Sequence, residues 1–401
     1  MTTIDAEPQP PALSYSALFL RFLRFGLLAF GGPVAQIAMI RRDLVEDEGW
    51  ISSARFNRLL AVLQILPGPE AHELCVHLGV RAKGRVGGLI AGLGFMLPGF
   101  LIMLVIGWVY VSVAAITTVL GGAFLGVQAA VVAVIVRAVW KIGSHILEDP
   151  WLWAIAGAGF AATLLGVSFW LVLVAAGGTF GFMKSGRAWV AGAIVLTAVG
   201  SATFYLIQHT TGTSLSQAGL VPATAGVLTM FWTGLKAGLL TFGGAYTAIP
   251  YVRADTVGRG MMNDGAFLDA IAFAGVIPAP LVIFCTFVGF VVGGWAGALA
   301  MTVGVFLPAF AFSLIFYERL ERIVGDDRLH AVLAGVAAAV VGVIGATSLQ
   351  LGWATLHRVP SVPVALAIFV SALVTLWFWK SRYATAAVLA TSALVGWVAL
   401  R

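Results

Sequence analysis

Glu70, His72, Glu73 and His77 crowd into one short part of an apolar stretch running from about Leu59 to Gly79. Carboxylates inside a greasy segment are expensive to keep and mark proton or ion handling. They directly follow Gln64-Ile65-Leu66-Pro67-Gly68-Pro69. Two prolines two apart remove two backbone donors and forbid a continuous helix. The glycine between them permits conformations other residues resist. In a bilayer, backbone groups freed this way must be satisfied by protein, water or a ligand. Glu70 then falls on the first turn of a restarting helix, where the dipole favours a carboxylate, and it reads as a proton carrier. Glu73 has two readings. It is a second coupling group, or the first rung of an ion-pair ladder with His77 and Arg81 at i, i+4 and i+8. His77 fits the ladder better than a site.

The same break returns as Ile277-Pro278-Ala279-Pro280, followed by Leu281, Ile283 and Phe284 in place of the charges. The elements around both breaks are apolar. Of the 401 residues, 60% are hydrophobic and 10% charged, far below the ~25% charged of soluble domains. Runs near the ~20 residues needed to cross a bilayer recur along the chain. The expected class is an all-α polytopic membrane protein partnered by lipid. The formal charge of +6 sets orientation in such a chain and is no nucleic-acid signal. Cys75 and Cys285 lie in apolar runs and suggest no disulfide. Residues 1–13 read as a flexible tail with Asp5, Glu7 and several prolines, not a signal peptide.

An internal duplication organises the rest. Arg24 to Gly32 aligns with Lys236 to Gly244, Arg41 and Asp43 with Arg253 and Asp255, and Pro67 and Pro69 with Pro278 and Pro280. Cys75, Gly79, Leu97, Pro98 and Phe100 then match Cys285, Gly289, Leu307, Pro308 and Phe310. Each half opens with a glycine-broken segment (about 14–40 and 224–251). A charged amphipathic link follows (41–58 and 252–266), then the proline-broken segment (59–80 and 267–289). Plainer spans complete the halves, near 86–111, 118–140, 151–166 and 168–183, and near 295–317, 330–353, 360–379 and 384–400. The expected division is a tail (1–13), a first repeat (14–187), a connecting span and loop (188–220) and a second repeat (221–401).

Loop charges predict that the repeats are inverted. Arg81, Lys83 and Arg85 precede one span, whereas the matching loop from Val291 to Trp295 is uncharged. After that span the bias swaps: Tyr110 to Thr118 carries no charge and the second half has Arg319, Arg322 and Arg328. By the positive-inside rule the halves lie upside down to each other in an inner membrane, with the N-terminus cytoplasmic. The link 41–58 and the loop 81–85 then share one side. Segments 14–40 and 59–80 must each return to the side they entered, as re-entrant hairpins. The competing arrangement, in which the broken helices all cross fully, puts the basic link outside.

Hairpin tips meeting at the midplane build substrate sites in inverted-repeat transporters. Helices restarting at the tips aim their amides into the cavity, which suits an anion. The candidate substrate-binding residues are Gly31, Gly32, Pro33, Pro67, Gly68, Pro69, Gly243, Gly244, Tyr246, Pro278 and Pro280, with Glu70 and Glu73 as coupling groups. Arg24 and its echo Lys236 are candidate neutralising charges, or simply snorkel to the interface. Arg41 and Arg253 are expected to pair with Asp43 and Asp255. Ser52-Ser53 and Asn263-Asp264 read as helix caps, and Asp269, at the place of Arg58, as a cross-repeat partner or a solvated end. Arg137 and Lys141 read as snorkelling. No nucleotide, hydrolase or metal motif is present, so the chain is expected to be no enzyme, to need no cofactor and to be driven by a gradient.

With these motifs in place, the chain resembles the chromate ion transporters of the long, two-domain type. The resemblance is carried by Phe30-Gly31-Gly32-Pro33, Leu66-Pro67-Gly68-Pro69-Glu70, Gly94-Phe95-Met96-Leu97-Pro98, Thr241-Phe242-Gly243-Gly244-Ala245-Tyr246, Pro278-Ala279-Pro280 and Val305-Phe306-Leu307-Pro308. It implies a membrane transporter of two inverted homologous domains that exports chromate, a sulfate-like tetrahedral dianion, and so confers resistance. Proton exchange and a homodimer are further expectations. A sulfate-type uptake permease, or a membrane enzyme or partner subunit without transport, is the alternative.

Overall fold

The computed structural model describes residues 8–63, 68–113, 120–211, 226–241, 244–316, 327–381 and 383–400, and side chains there except at 61, 204–211, 316, 327 and 328. Pro67 and Gly243 of the candidate site lie outside the described residues, as do Gln64 to Leu66, Phe242, Arg319 and Arg322.

Among the described residues the chain is helical without strands. The first repeat contributes α1 (Tyr15–Leu27), α2 (Gly32–Arg41), α3 (Ser53–Leu63), α4 (Glu70–Ser112), α5 (Gly121–Ile146), α6 (Pro150–Leu164) and α7 (Phe169–Lys184). Helix α8 (Ala188–Thr211) stands between the repeats. The second contributes α9 (Val227–Leu239), α10 (Ala248–Thr256), α11 (Asp264–Val276), α12 (Phe284–Ala311), α13 (Asp327–Leu356), α14 (Val362–Phe378) and α15 (Ala384–Ala399). Ser52 and Asn263 cap α3 and α11 as their types suggest, accepting from the amides of Arg55 and Ala266. Both cysteines are buried and free.

The duplication is legible in the backbone. α4 bends at Lys83 and Gly84 and α12 at Gly293 and Gly294, where Gly84 and Gly294 take φ of 63° and 62°. Such φ values favour glycine over any side chain, so one device is repeated at equivalent positions. Beyond the bend, residues 85–112 rise about 42 Å as a helix and cross a bilayer outright. The helices on either side of the breaks are far shorter. A helix such as α1 (13 residues) rises only about 20 Å, less than the ~30 Å hydrocarbon core.

Where those short helices begin and end decides the topology. Lys83 Nζ sits 4.2 Å from the centre of the Tyr15 ring, at the start of α1. Arg81 donates to the carbonyls of Trp50 (3.2 Å), between α2 and α3, and of Pro8 (2.7 Å). Both breaks of the first repeat therefore lie in hairpins that leave and return to one face. In the second repeat, α11 begins beside the far end of α4: Asp269 meets Tyr110, and Arg358 lies against Gly265. The second pair of hairpins thus enters from the other face, and the arrangement with fully crossing broken helices is excluded.

Inversion also shows in how equivalent helices pack. Gly143 faces Val341, Gly345 faces Val139 and Gly352 faces Val132, so α5 runs antiparallel to its echo α13. Gly92 faces Phe310 and Gly88 faces Leu314, so α4 runs antiparallel to α12. The repeats also interlock. Gly335 and Gly342 of α13 sit against the backbone of Ala176 and Ala156, whereas Gly126 of α5 sits against Ser392 and Gly396. Each repeat's last two helices are clasped by the other repeat, close-packed through small residues as expected where lipid gives no hydrophobic drive. Large apolar side chains such as Leu89, Leu101, Val105 and Trp108 remain exposed along α4, matching a lipid-facing surface.

Candidate functional site

The tips carry glycines in backbone regions that side chains disfavour: Gly31, Gly32, Gly68 and Gly244 have φ of 90°, 77°, 154° and 124°. Pro33 occupies the first turn of α2, where a missing amide costs nothing. Neither α2 nor α4 has a side-chain cap at its start, nor do the 3-10 turns Ala245–Thr247 and Leu281–Ile283 that lead into α10 and α12.

The tips meet across the repeats in two pairs. The Gly68 amide donates to the Thr241 carbonyl at 2.9 Å, joining the second tip of one repeat to the first tip of the other. The complementary pair is bridged by Gln36 of α2, whose Nε2 donates to Ala29 O (2.8 Å) and Ala279 O (3.1 Å). Packing repeats the same symmetry: Gly68 lies against Ala309, and Gly99 against Ala279. Pro69, Ala279 and Pro280 are buried at this junction. Gln36 is 1% exposed and its Oε1 has no partner. Sequence reasoning missed this residue. Its only signal was an amide within the first turn after a break, with Ala248 at its echo.

The acidic cluster sits on one side of this junction only. Glu73 is fully buried, both its oxygens lack partners, and its carboxyl points back at Gly68. The ladder with His77 and Arg81 does not form. Glu73 makes no ion pair among the described residues, and Arg81 is occupied by Trp50 and Pro8 carbonyls. His72 is buried among Phe95, Phe306 and Phe310, with ring centroids 6.4, 4.9 and 4.7 Å away. Glu70 is only partly buried and lies near enough to Lys141 to feel its charge. Tyr246, just beyond the third tip, stands in the same relation to Arg137. Both cations belong to α5, one turn apart, and neither forms an ion pair among the described residues.

The other cations are placed differently from their sequence assignments. Arg24 is exposed on α1, and Lys236 is ion-paired with Asp255, which also holds Arg259 at 3.1 Å. Arg41 does not pair with Asp43. It reaches Glu46, Asn57 and Ser53, while Asp43 takes Arg42. Arg253 likewise bypasses Asp255 for Asp264 (2.7 Å) and Gln350 (2.8 Å). The cause is geometric: a neighbour two residues along a helix points away, whereas the start of the next helix lies alongside. Asp269 is neither solvated nor paired with the exposed Arg58. It is 2% exposed and accepts from Tyr110 Oη (2.9 Å) and Gln128 Nε2 (3.0 Å).

The two faces are not equally closed. α11 is buried along Gly265 to Ala272, whereas its echo α3 leaves Ser53, Ala54, Arg55, Asn57 and Arg58 exposed. The outer side of α3 is thus basic and exposed, with Phe56, Leu59 and Leu63 buried on its inner side, whereas α11 is enclosed by its neighbours.

A family model described as chromate transporter matches residues 16–182 and 228–397, so both repeats are covered. A chromate transport protein of Pseudomonas aeruginosa is 57% identical over 397 residues, covering 99% of this chain and 95% of the relative. One from Cupriavidus metallidurans is 32% identical over 399 residues, covering 97% and 94%. An uncharacterized transporter of Methanocaldococcus jannaschii is 26% identical over 408 residues, covering 99% and 96%. No solved structure matches the chain.

Proposed function

This chain belongs to the chromate transporter family, and from that premise we propose that it exports chromate from the cytoplasm by alternating access at the hairpin junction, in exchange for protons. The observation carrying the proposal is the meeting of uncapped helix starts from two inverted repeats, joined by Gly68–Thr241 and by Gln36. Uncapped amides on positive-φ glycines let a tetrahedral oxyanion approach the backbone closely. Candidate binding residues remain Gly31, Gly32, Pro33, Gly68, Pro69, Gly244, Tyr246, Pro278 and Pro280, with Pro67 and Gly243 adjoining them in sequence.

A dianion entering a membrane needs neutralising charge. Arg137, half-buried, and Lys141, exposed but within electrostatic reach of Glu70, supply it, whereas Lys236 is already engaged by Asp255. We assign them the role of drawing the anion inward from the Arg81 face. We assign Glu70 and Glu73 the exchanged proton, taken up when the far face is open and chromate has left and released to the cytoplasm before the next anion binds; the nearby cations offset the carboxylate charge while chromate is bound. The basic approach along α3 faces the cytoplasm under the positive-inside rule.

Uptake of labelled chromate and labelled sulfate into inverted inner-membrane vesicles tests this reading, with a pH gradient imposed in either direction. The expected result is chromate accumulation driven by an acidic lumen. Accumulation only in right-side-out vesicles makes the protein an uptake permease and overturns the direction, and accumulation of sulfate in preference to chromate overturns the substrate.

A further inference from the structure

Among buried polar groups, the cluster of Asp269, Tyr110 and Gln128 stands apart from the hairpin junction. Asp269 belongs to α11 of the second repeat, whereas Tyr110 lies in the last turn of α4 and Gln128 two turns into α5, both of the first. Every hydrogen bond to this carboxylate therefore crosses between repeats. It lies inside an apolar wall: the Tyr110 ring packs on Phe287 (5.0 Å), Phe124 (5.9 Å) and Phe273 (6.3 Å). The equivalent position in the first repeat is Arg58, exposed, on a helix whose outer side is open. So a buried carboxylate bridges the repeats where α11 is enclosed, and an exposed arginine stands at the equivalent place on α3.

We infer that Asp269, Tyr110 and Gln128 form a latch that holds the face opposite Arg81 closed, and that releasing it opens the transport path on that side. This rests on the alternating-access reading above. For the second face to open, α11 must part from α4 and α5, and the contacts that must break are those to Asp269. A buried carboxylate gains its hydrogen bonds only while the two repeats touch, and on parting it exchanges them for water. The latch is thus two-state by construction. Arg358, lying against Gly265 and hydrogen-bonded to Ala354 O at 3.2 Å, and the Arg253–Asp264–Gln350 cluster border it at the surface. Asp269, Tyr110 and Gln128 are positioning groups and none of them belongs to the hairpin junction.

The test reads the gate directly and needs no substrate, so it stays informative if the chromate assignment fails. In a background lacking Cys75 and Cys285, a single cysteine replaces Ala270, which is fully buried on α11. A membrane-impermeant maleimide is applied from the face opposite Arg81. Tyr110→Phe removes one hydroxyl and keeps the aromatic packing. Asp269→Asn keeps the shape and removes the charge. With the latch intact labelling is slow; in both variants it is expected to accelerate tenfold or more. A cysteine at Ala54, exposed on the other face, serves as the control and is expected to label no faster in the variants. Unchanged labelling of residue 270 in both variants at parental protein level overturns the inference, as does fast labelling in the parent. Equal acceleration at residues 270 and 54 also overturns it, since that signals general loosening.

Discussion

Replacing Gln36 by leucine probes the junction between repeats. The side chain is 1% exposed and its Nε2 holds Ala29 O and Ala279 O at 2.8 and 3.1 Å. Leucine fills similar space but donates nothing, so two buried carbonyls are left unpaired at about 1–3 kcal/mol each. One offset exists: the substitution also removes Oε1, which already lacks a partner and costs about as much as one of those carbonyls. The net loss is therefore about 2 kcal/mol, the worth of one bridge between the α2 tip and the Pro278–Pro280 tip. If that bridge keeps the tips in register during transport, the same energy lowers the rate about thirtyfold. The assay is chromate flux in proteoliposomes at matched protein density, paired with thermal unfolding in detergent. A Gln36→Leu protein within twofold of the parental rate would refute the claim that this bridge organises the site. A protein that loses only stability would reduce Gln36 to a structural tie.

Four further outcomes follow from the same geometry. A cysteine at Gly84, exposed at its bend, and one at Gly294, half-buried at the equivalent bend, are expected to label from opposite sides of the membrane; labelling from one side would sink the inverted arrangement. Glu70→Gln should flatten the dependence of transport rate on pH while sparing anion binding, and an unchanged profile removes Glu70 from coupling. Glu73→Gln is isosteric at a site without partners, so insertion should be normal and any lost transport would report coupling; parental rate and profile would exclude Glu73. Gly342→Val drives a side chain into the Ala156 backbone and is expected to cost about 1–3 kcal/mol by overpacking, read as a lower detergent melting temperature; an unchanged melt would show that the clasp between α13 and α6 is loose.

The sequence by itself determined the architecture, because its signals there are local or periodic. Paired prolines break a helix wherever they fall, apolar length sets what can cross a bilayer, and loop arginines report sidedness without any knowledge of packing. The duplicated order of Phe30-Gly31-Gly32 and Thr241-Phe242-Gly243-Gly244 exposed the two copies, and Gly84 and Gly294 later proved to bend them identically. Partner choice was not legible, because it is set across distances that no spacing encodes. Glu73, His77 and Arg81 share one face of an ideal helix, yet Trp50 and Pro8 offer Arg81 carbonyls that Glu73 cannot outbid from two turns away. Asp269 read as a cross-repeat partner of Arg58 or as a solvated end until Tyr110 and Gln128, 159 and 141 residues away, arrived from the other repeat. Arg137 and Lys141 looked like interface anchors until the fold brought them within electrostatic reach of Tyr246 and Glu70. Gln36 carried no motif at all, and only the meeting of two tips 243 residues apart gave its amide two carbonyls to bridge. A hydrogen bond between repeats depends on how two inverted copies dock, and docking is decided by the small-residue packing of whole helices.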